Sequence, residues 1–492
     1  MSFKSPYCVC LALLSAVPLA HASDPPQPDP KQPTTVELTL SPAKEPRPAF
    51  KYSLAIGTRE RSAGNAAPFY YRALLQRRHI PAEHFQKYNA HERAWLEEPL
   101  AAKQLAEIKE WLVPFAGSLA QLKVAVYRDH CEWDYHLEEL KGFDVIAFLL
   151  PEIQDCRELA RTLRLKARVE IAERRYDDAI ETLRWGYQLA QDCGNQPLLI
   201  SNLVGIAIAA TMNEPLVELM KAPGSPNLYW AIASLPQPLV DVRKALEFER
   251  GFPEQIFPFL KDAETVDRSP QEWQRVLEQS LQDIQKLSTD IQLASANTPE
   301  WLSKAGLVLM MAKAYPAAKA ELIKEGMDEK KVEAMSVAQV IAIQTSRRTR
   351  EAYDDVFKAM VLPYPEALKV SLQMNELTKQ RMSPSVFFGT QGLPIAQMIM
   401  PATMQVKRAE IRGPRQFAVL QAIEAIRLHA AATGDLPKSL ASITVVPVPP
   451  NPIDRQPFPY SLSGHTATLE MPILADETPR NLARRYIITL AK

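Results

Sequence analysis

The chain has 492 residues, 47% of them apolar, and its 57 Lys and Arg balance its 57 Asp and Glu. This length predicts more than one domain and a large core. The balanced charge gives no net field that would attract nucleic acid or an anionic membrane. Glycine is scarce, at 16 residues. The sequence contains no Gly-rich phosphate loop, HExxH zinc motif or GxSxG nucleophile motif, so it assigns no catalytic, cofactor-binding or metal-binding residue.

The first 22 residues have the pattern of a cleavable signal peptide. Lys4 supplies a positive charge, the apolar run Cys8–Leu19 follows, and Ala20–Ala22 has the small-x-small pattern of a cleavage site. The run is shorter than the roughly 20 residues of a membrane-spanning helix. We therefore expect cleavage between Ala22 and Ser23, a periplasmic or extracellular location, and no transmembrane segment after cleavage. The alternative is a helix retained as an anchor.

Three further segments follow in the mature chain. Proline recurs too often in residues 23–48 for a helix, so we expect a disordered Pro-rich tether that ends in short strands at Val36–Leu40 and Phe50–Ile56. Residues 49–400 show helical periodicity and are interpreted as a helical body. Residues 401–492 change to one helix followed by hairpin patterns, which predicts a separate C-terminal domain. The predicted fold is mainly α, with helical hairpins and a small C-terminal α+β unit.

The clearest helical hairpin lies between residues 152 and 194. Apolar spacing predicts one helix through Leu159–Ile171, a turn at Arg174–Asp177, and a second helix that ends at Gly194, a favoured position just past a helix end. The run from Tyr176 to Leu183 resembles the second half of a tetratricopeptide (TPR) repeat. That resemblance implies TPR-like packing of paired helices around small Ala residues. A third helix, Leu198–Met212, is apolar and predicted to be buried.

The C-terminal segment predicts a helix laid on three antiparallel strands. The helix covers roughly Met404–Ala432 with a kink or break at Gly413–Pro414, the hairpin turns at Ser463–Gly464, and Tyr486–Leu490 closes the sheet. This order resembles the globular part of type II secretion pseudopilins. The matching residues are Gly434–Pro437, Leu440, Asn451–Asp454 and Gln456–Tyr460. The helix of this chain is amphipathic and late in the sequence, so the resemblance does not imply assembly into a pilus.

The chain as a whole resembles a family of exported proteins from planctomycete bacteria. The resemblance implies export, but no activity and no functional residue comes with it. It is carried by Gly64–Ala67, Tyr70–Leu74, Ala167–Leu183, Leu203–Ala207, Asn227–Ala231 and Pro457–Tyr460.

The densest group of reactive side chains is Asp129–Glu139, which holds two His, one Cys and several carboxylates. These types can bind a transition metal. If the stretch is helical, His130 and Asp134 lie four residues apart on one face. The alternative is structural, with Trp133 and Tyr135 forming the buried face of a helix end.

Cys131, Cys156 and Cys193 remain after signal removal, and export usually means a compartment in which disulfides persist. Cys156 and Cys193 lie equally far from the Arg174–Arg175 turn, so an antiparallel hairpin puts them at one level. A bond there would close a loop of 38 residues, worth about 4 kcal/mol in the chain-entropy model. Because packed helix axes lie roughly 8–10 Å apart, both side chains must face inward. A bond from Cys131 and three reduced thiols are the alternatives.

These observations favour an exported helical binding or scaffolding protein, whose partner is a protein or a small ligand. Two alternatives stay open. One is a metal-dependent enzyme that uses the cluster of residues 129–139. The other is a component of secretion or envelope assembly, suggested by the pseudopilin-like end.

Overall fold

The structure is a computed structural model, and it describes residues 33–137, 139–140, 151–290, 300–381, 403–473 and 483–491. The fold is mainly helical with a small sheet, as the sequence predicts. The signal peptide and its cleavage site lie outside the described residues.

Three short strands are interspersed among the helices of the first part of the chain, and helices followed by three strands form the rest. The first part forms β1 Thr34–Leu40, β2 Ser62–Asn65, α1 Ala67–Arg78, α2 Ala82–Leu96, α3 Ala102–Leu112, α4 Ala116–Val126, β3 Arg128–His130, α5 Pro151–Ala172, α6 Tyr176–Gly194, α7 Leu199–Lys221, α8 Tyr229–Ala233 and α9 Arg243–Arg250. The remainder forms α10 Phe252–Ile256, α11 Phe259–Asp262, α12 Pro270–Asp290, α13 Glu300–Lys324, α14 Glu329–Ala334, α15 Val337–Val361, α16 Tyr364–Arg381, α17 Thr403–Thr433, β4 Tyr460–Ser463, β5 Thr466–Met471 and β6 Arg484–Leu490.

The described residues fall into two compact units. The sheet-bearing unit takes its residues from 21–134, 150–245 and 408–492, and the helical unit takes its residues from 135–149 and 246–407. This division differs from the predicted boundary at residue 400, which placed residues 49–400 in one body and 401–492 in another. The prediction fails because long-range strand pairing and packing join sequence-distant segments, and local periodicity does not report such contacts.

The sheet has four strands in the order β1-β6-β5-β4. The strands β4, β5 and β6 pair antiparallel, as predicted, with the hairpin turning at Gly464 in the left-handed region (φ 58°). The predicted three-stranded sheet gains β1, which runs parallel to β6 from Thr34 opposite Arg484 to Leu40 opposite Leu490. Leu38 and Leu40 are buried. Residues 34–40 are therefore a strand of the main sheet, which corrects the predicted disordered tether for this part of 23–48.

Helices α5, α6 and α7 form successive packed hairpins in the sheet-bearing unit. Both the turn at Arg174–Arg175 and the helix end at Gly194 lie where the sequence predicts them. The contact of α6 with α7 is close, because a Cβ added to Gly205 would lie 2.5 Å from the Gly194 Cα. The predicted strand Phe50–Ile56 is wrong, since these residues form bends and irregular structure.

Helix α7 is, among the described residues, the helix long and apolar enough to cross a membrane by length and composition. Within the molecule 56% of its most apolar window is buried. Two of its polar side chains form buried hydrogen bonds: Asn202 Nδ2 donates to the Gln196 carbonyl at 3.0 Å, and Asn213 Oδ1 accepts from the Tyr187 hydroxyl at 2.6 Å. Hydrogen bonds of this kind are typical of a core helix.

Helix α12 of the helical unit begins with the capping pattern that the sequence predicts. The Ser269 hydroxyl accepts from the Glu272 amide at 3.3 Å, and the Glu272 carboxylate accepts from the Ser269 amide at 2.7 Å. This reciprocal pair satisfies two amides at the start of α12. Farther along, Arg347 of α15 forms ion pairs with Glu264 and Glu325.

Candidate functional site

A cleft of about 260 Å³ lies inside the sheet-bearing unit, between α7, the segment before α9, α17 and the ends of β5 and β6. Much of its wall is apolar. The apolar lining residues are Ile206, Ala207, Ala209, Ala210, Pro238, Leu239, Val240, Pro414, Phe417 and Met471. An engineered apolar cavity of about 150 Å³ holds a benzene molecule, so this cleft has room for a small organic molecule.

One wall of the cleft is a proline-containing turn of α17. Of the predicted kink or break at Gly413–Pro414, the break is wrong, because the helix continues from Thr403 to Thr433 with Pro414 inside it. Pro414 has no N–H, so the helical hydrogen bond to the carbonyl of Glu410 cannot form there. A Cβ added to Gly413 would meet nothing within 4 Å. Gly413 and Pro414 therefore line the cleft at a turn of α17 that lacks this hydrogen bond.

Polar groups from three elements reach the cleft wall. On α7, Asn213 is held by the Tyr187 hydroxyl, which donates to Asn213 Oδ1 at 2.6 Å. Burial raises the pKa of Tyr187 well above its usual range, so this hydroxyl stays a donor. The Tyr187 ring also packs edge-on against Phe417, with 5.6 Å between ring centroids. These contacts hold the side chains of Asn213 and Phe417 in place in the structure without a ligand.

Among the charged residues that line the cleft, arginines outnumber carboxylates by three to two. Arg412 and Arg415 come from α17 and Arg484 from β6, against the carboxylates of Glu214 and Glu410. Arg484 lies 3.3 Å from Glu214. Arg415 is buried and donates from Nη2 to the Pro472 carbonyl at 2.5 Å. The described lining residues thus carry a formal charge of one positive unit, in a cavity whose apolar wall limits solvent screening.

The cluster of residues 129–139 is not helical. Arg128–His130 forms β3, and the following residues are irregular, with positive φ at Asp134 (57°) and His136 (47°). The premise that His130 and Asp134 share a helical face is therefore wrong. Glu138 lies outside the described residues. In the part of the chain that the structure describes, no three His, Cys, Asp or Glu side chains gather as a metal site.

The structural interpretation of that cluster holds for Trp133. Its side chain is buried, and its indole N–H donates to the Asp192 carbonyl at 3.1 Å. The ring stacks on Tyr70 with 5.7 Å between centroids. The Tyr70 hydroxyl in turn donates to Asp192 Oδ2 at 2.6 Å. This segment therefore covers the end of α6, and Trp133 belongs to the core.

The sequence pattern did not predict the cleft. Arg412 belongs to the predicted amphipathic helix and Pro414 to its predicted break, but no motif marks Asn213, Arg415 or Arg484. The unusual signal is a Gly-Pro pair inside an otherwise regular helical pattern, which can mark a functional feature. No protein family, curated protein or solved structure matches this chain.

Proposed function

We propose that this chain is an exported, mainly helical binding protein whose ligand is a small organic anion with an apolar body. The observation that carries the proposal is the cleft, where three arginines and two glutamates meet an apolar wall. A guanidinium recognises a carboxylate through paired charge-assisted hydrogen bonds. The apolar wall would bury the body of the ligand, as in most small-molecule sites.

The size of the cleft restricts the ligand further. About 260 Å³ exceeds a benzene-sized cavity of roughly 150 Å³ by the space of a few more atoms. A single ring or a short branched chain that carries one carboxylate therefore suits it, and benzoate is the simplest probe. Benzamide has nearly the same shape and no charge, so it is the matched neutral control.

A second hollow, in the helical unit, supports the proposal less well. That hollow is lined by Arg250, Arg350, Glu254 and Asp354, among others. Like Arg484 of the cleft, its arginines form ion pairs, with Arg250 2.8 Å from Asp354 and Arg350 3.0 Å from Glu254. Its described lining residues include more carboxylates than arginines, which disfavours an anion.

The test is calorimetric titration of the mature full chain with benzoate and with benzamide. We expect benzoate to bind at least ~10-fold more tightly than benzamide, because charge-assisted hydrogen bonds contribute about 1.5–3 kcal/mol. Equal affinity, or no binding of benzoate or of other small aromatic and branched carboxylic acids, would contradict the proposal.

Two variants separate charge from space. Arg484→Gln should weaken benzoate binding about 10-fold or more. The matched control is Arg485→Gln, because Arg485 is the next residue on β6, points to the other face of the sheet and pairs with Glu470 outside the cleft. This control variant should bind benzoate as the wild type does. Ala210 is exposed at the cleft rim, so Ala210→Phe should block binding without loss of a core contact. Export is tested independently by the mass of protein recovered outside the cytoplasm, which should begin at Ser23.

A further inference from the structure

The three cysteines of the mature chain come together at one end of the α5–α6 hairpin. Cys156 lies in the first turns of α5, Cys193 in the last turn of α6, and Cys131 directly after β3. All three are free thiols in the structure. Cys156 and Cys193 are completely buried, whereas Cys131 is partly exposed.

The two buried thiols lie at the same level of the hairpin. Cys156 is on α5 and Cys193 is on α6, and these two helices pack against each other. This common level follows from the hairpin, because both residues are equally distant from the Arg174–Arg175 turn. Both side chains are completely buried and therefore face inward, as a bond across a helix pair requires.

The surroundings of the pair protect it once the protein has folded. Burial raises the pKa of the Cys193 thiol well above its usual range, and the neighbouring Cys156 and Asp192 add to the effect. Burial also raises the pKa of Cys131. Because the thiolate is the reactive species in disulfide exchange, these thiols react slowly in the folded protein. Any oxidation must precede closure of the fold.

We infer that Cys156 and Cys193 are a modification site, joined by a disulfide while the exported chain folds, with Cys131 left as a thiol. The oxidant is an external disulfide, either a small-molecule disulfide or a thiol–disulfide oxidoreductase of the exported compartment. One cysteine thiolate attacks that disulfide and displaces a thiol. The second cysteine thiolate then attacks the mixed disulfide and displaces the other thiol. The two cysteines lose two electrons and two protons, and the external disulfide leaves as two thiols.

The segment that carries Cys131 is fixed on both sides. The side chain of Asn65 accepts from the Glu132 amide at 2.9 Å and donates to the Glu132 carbonyl at 2.7 Å. These two bonds fix the chain next to Cys131 against β2. The burial of Trp133 two residues on anchors the other side. The 156–193 bond, in contrast, joins two residues at the same level of one helical hairpin.

Peptide mapping of the whole mature protein tests the inference. The chain is refolded from reduced, denatured protein with oxidised and reduced glutathione, then alkylated and digested without reductant. Trypsin places each cysteine on its own peptide, residues 129–141, 142–157 and 185–221. We expect a linked pair of the peptides 142–157 and 185–221, and one alkylated thiol on 129–141. A linked 129–141 peptide, or three alkylated thiols, would overturn the inference.

Two controls separate pairing from misfolding. Cys131→Ala should keep the linked pair, and loss of the link in this variant would count against the assignment. In a second measurement, the folded reduced protein is exposed to oxidised glutathione alone. We expect its oxidation to be at least ~10-fold slower than that of the denatured chain. Equal rates would refute the conclusion that the bond forms before the fold closes.

Discussion

Replacement of Arg427 should weaken the sheet-bearing unit more than that of any exposed arginine. Arg427 and Glu424, one turn apart on α17, are both completely buried, and Arg427 Nη1 donates to both Glu424 oxygens at 2.9 and 3.1 Å. The same guanidinium donates to the carbonyls of Ser41 at 3.1 Å and Ser225 at 3.0 Å. It thus connects the segment after β1, the turn before α8, and α17.

The expected size of the effect follows from what the change leaves behind. Arg427→Met removes the cation but leaves the Glu424 carboxyl buried, and loss of one partner of a buried pair costs about 3–5 kcal/mol. The carbonyls of Ser41 and Ser225 also lose a donor, each worth about 1–3 kcal/mol where no water replaces it. Because these contributions overlap, we expect a loss of about 4 kcal/mol in total.

Hydrogen exchange of the β1 and β6 amides measures the effect locally, which avoids assuming two-state unfolding of a chain with two units. The control is Arg243→Met, since Arg243 pairs with Asp241 at the surface and such pairs contribute about 0–1 kcal/mol. The double variant Glu424→Leu/Arg427→Met should recover most of the loss, because an apolar pair needs no counter-charge.

The pH dependence supplies a second signature. Burial raises the pKa of Glu424, and Arg427 opposes that rise. Without Arg427 the pKa of Glu424 in the folded protein should rise further above its unfolded value. The folded state then binds the proton more tightly, so the deficit of Arg427→Met should be smallest at low pH and grow as the pH rises. A deficit below about 1 kcal/mol that does not change with pH would refute the argument.

Three further predictions test the packing, the buried charge and the helix capping. Gly205→Ala should destabilise the sheet-bearing unit by at least ~1 kcal/mol, because its Cβ would lie 2.5 Å from the Ala190 carbonyl oxygen. Urea unfolding measures the loss, and an unchanged stability would contradict the close packing. Burial raises the pKa of Asp192 to about 6. The free energy of unfolding of the wild type relative to that of Asp192→Asn should therefore fall by about 3 kcal/mol as the pH rises from 3.5 to 7. Parallel curves of unfolding free energy against pH for the two proteins would contradict this. Ser269→Ala should lower the stability of the helical unit by about 1 kcal/mol, measured by the same urea assay, and no change would mean that the capping pair is not stabilising.

The sequence predicted the structure best where the deciding interactions are local. The turn at Arg174–Arg175, the helix end at Gly194 and the hairpin at Gly464 depend on neighbouring residues, and all three lie where expected. The same reasoning missed the pairing of β1 with β6, because residues so far apart share no local pattern. The alternation at Val36–Leu40 correctly predicted a strand, which the structure extends to Thr34, but it did not indicate which strand it pairs with.

The cleft could not be predicted for a related reason. Its arginines come from α17 and β6, and its amide from α7. They approach each other only because α17 continues across Pro414, where the helix rule favours an interruption. In residues 129–139 the composition indicated a metal site, but positive φ at Asp134 and His136 turns the chain away from the helix that such a site required.

The parallel pairing of β1 with β6 has a consequence for how the chain reaches its final shape. Thr39 and Thr489 are hydrogen-bonded neighbours although 450 residues separate them. While the intervening chain is being synthesised, β1 presents an unpaired strand edge, the feature through which chains aggregate. The central strand β6 must arrive before β1 and β5 can be joined. Folding of this unit is therefore a late event in synthesis, and a partner that shields residues 34–40 until β6 is complete would raise the yield of native protein.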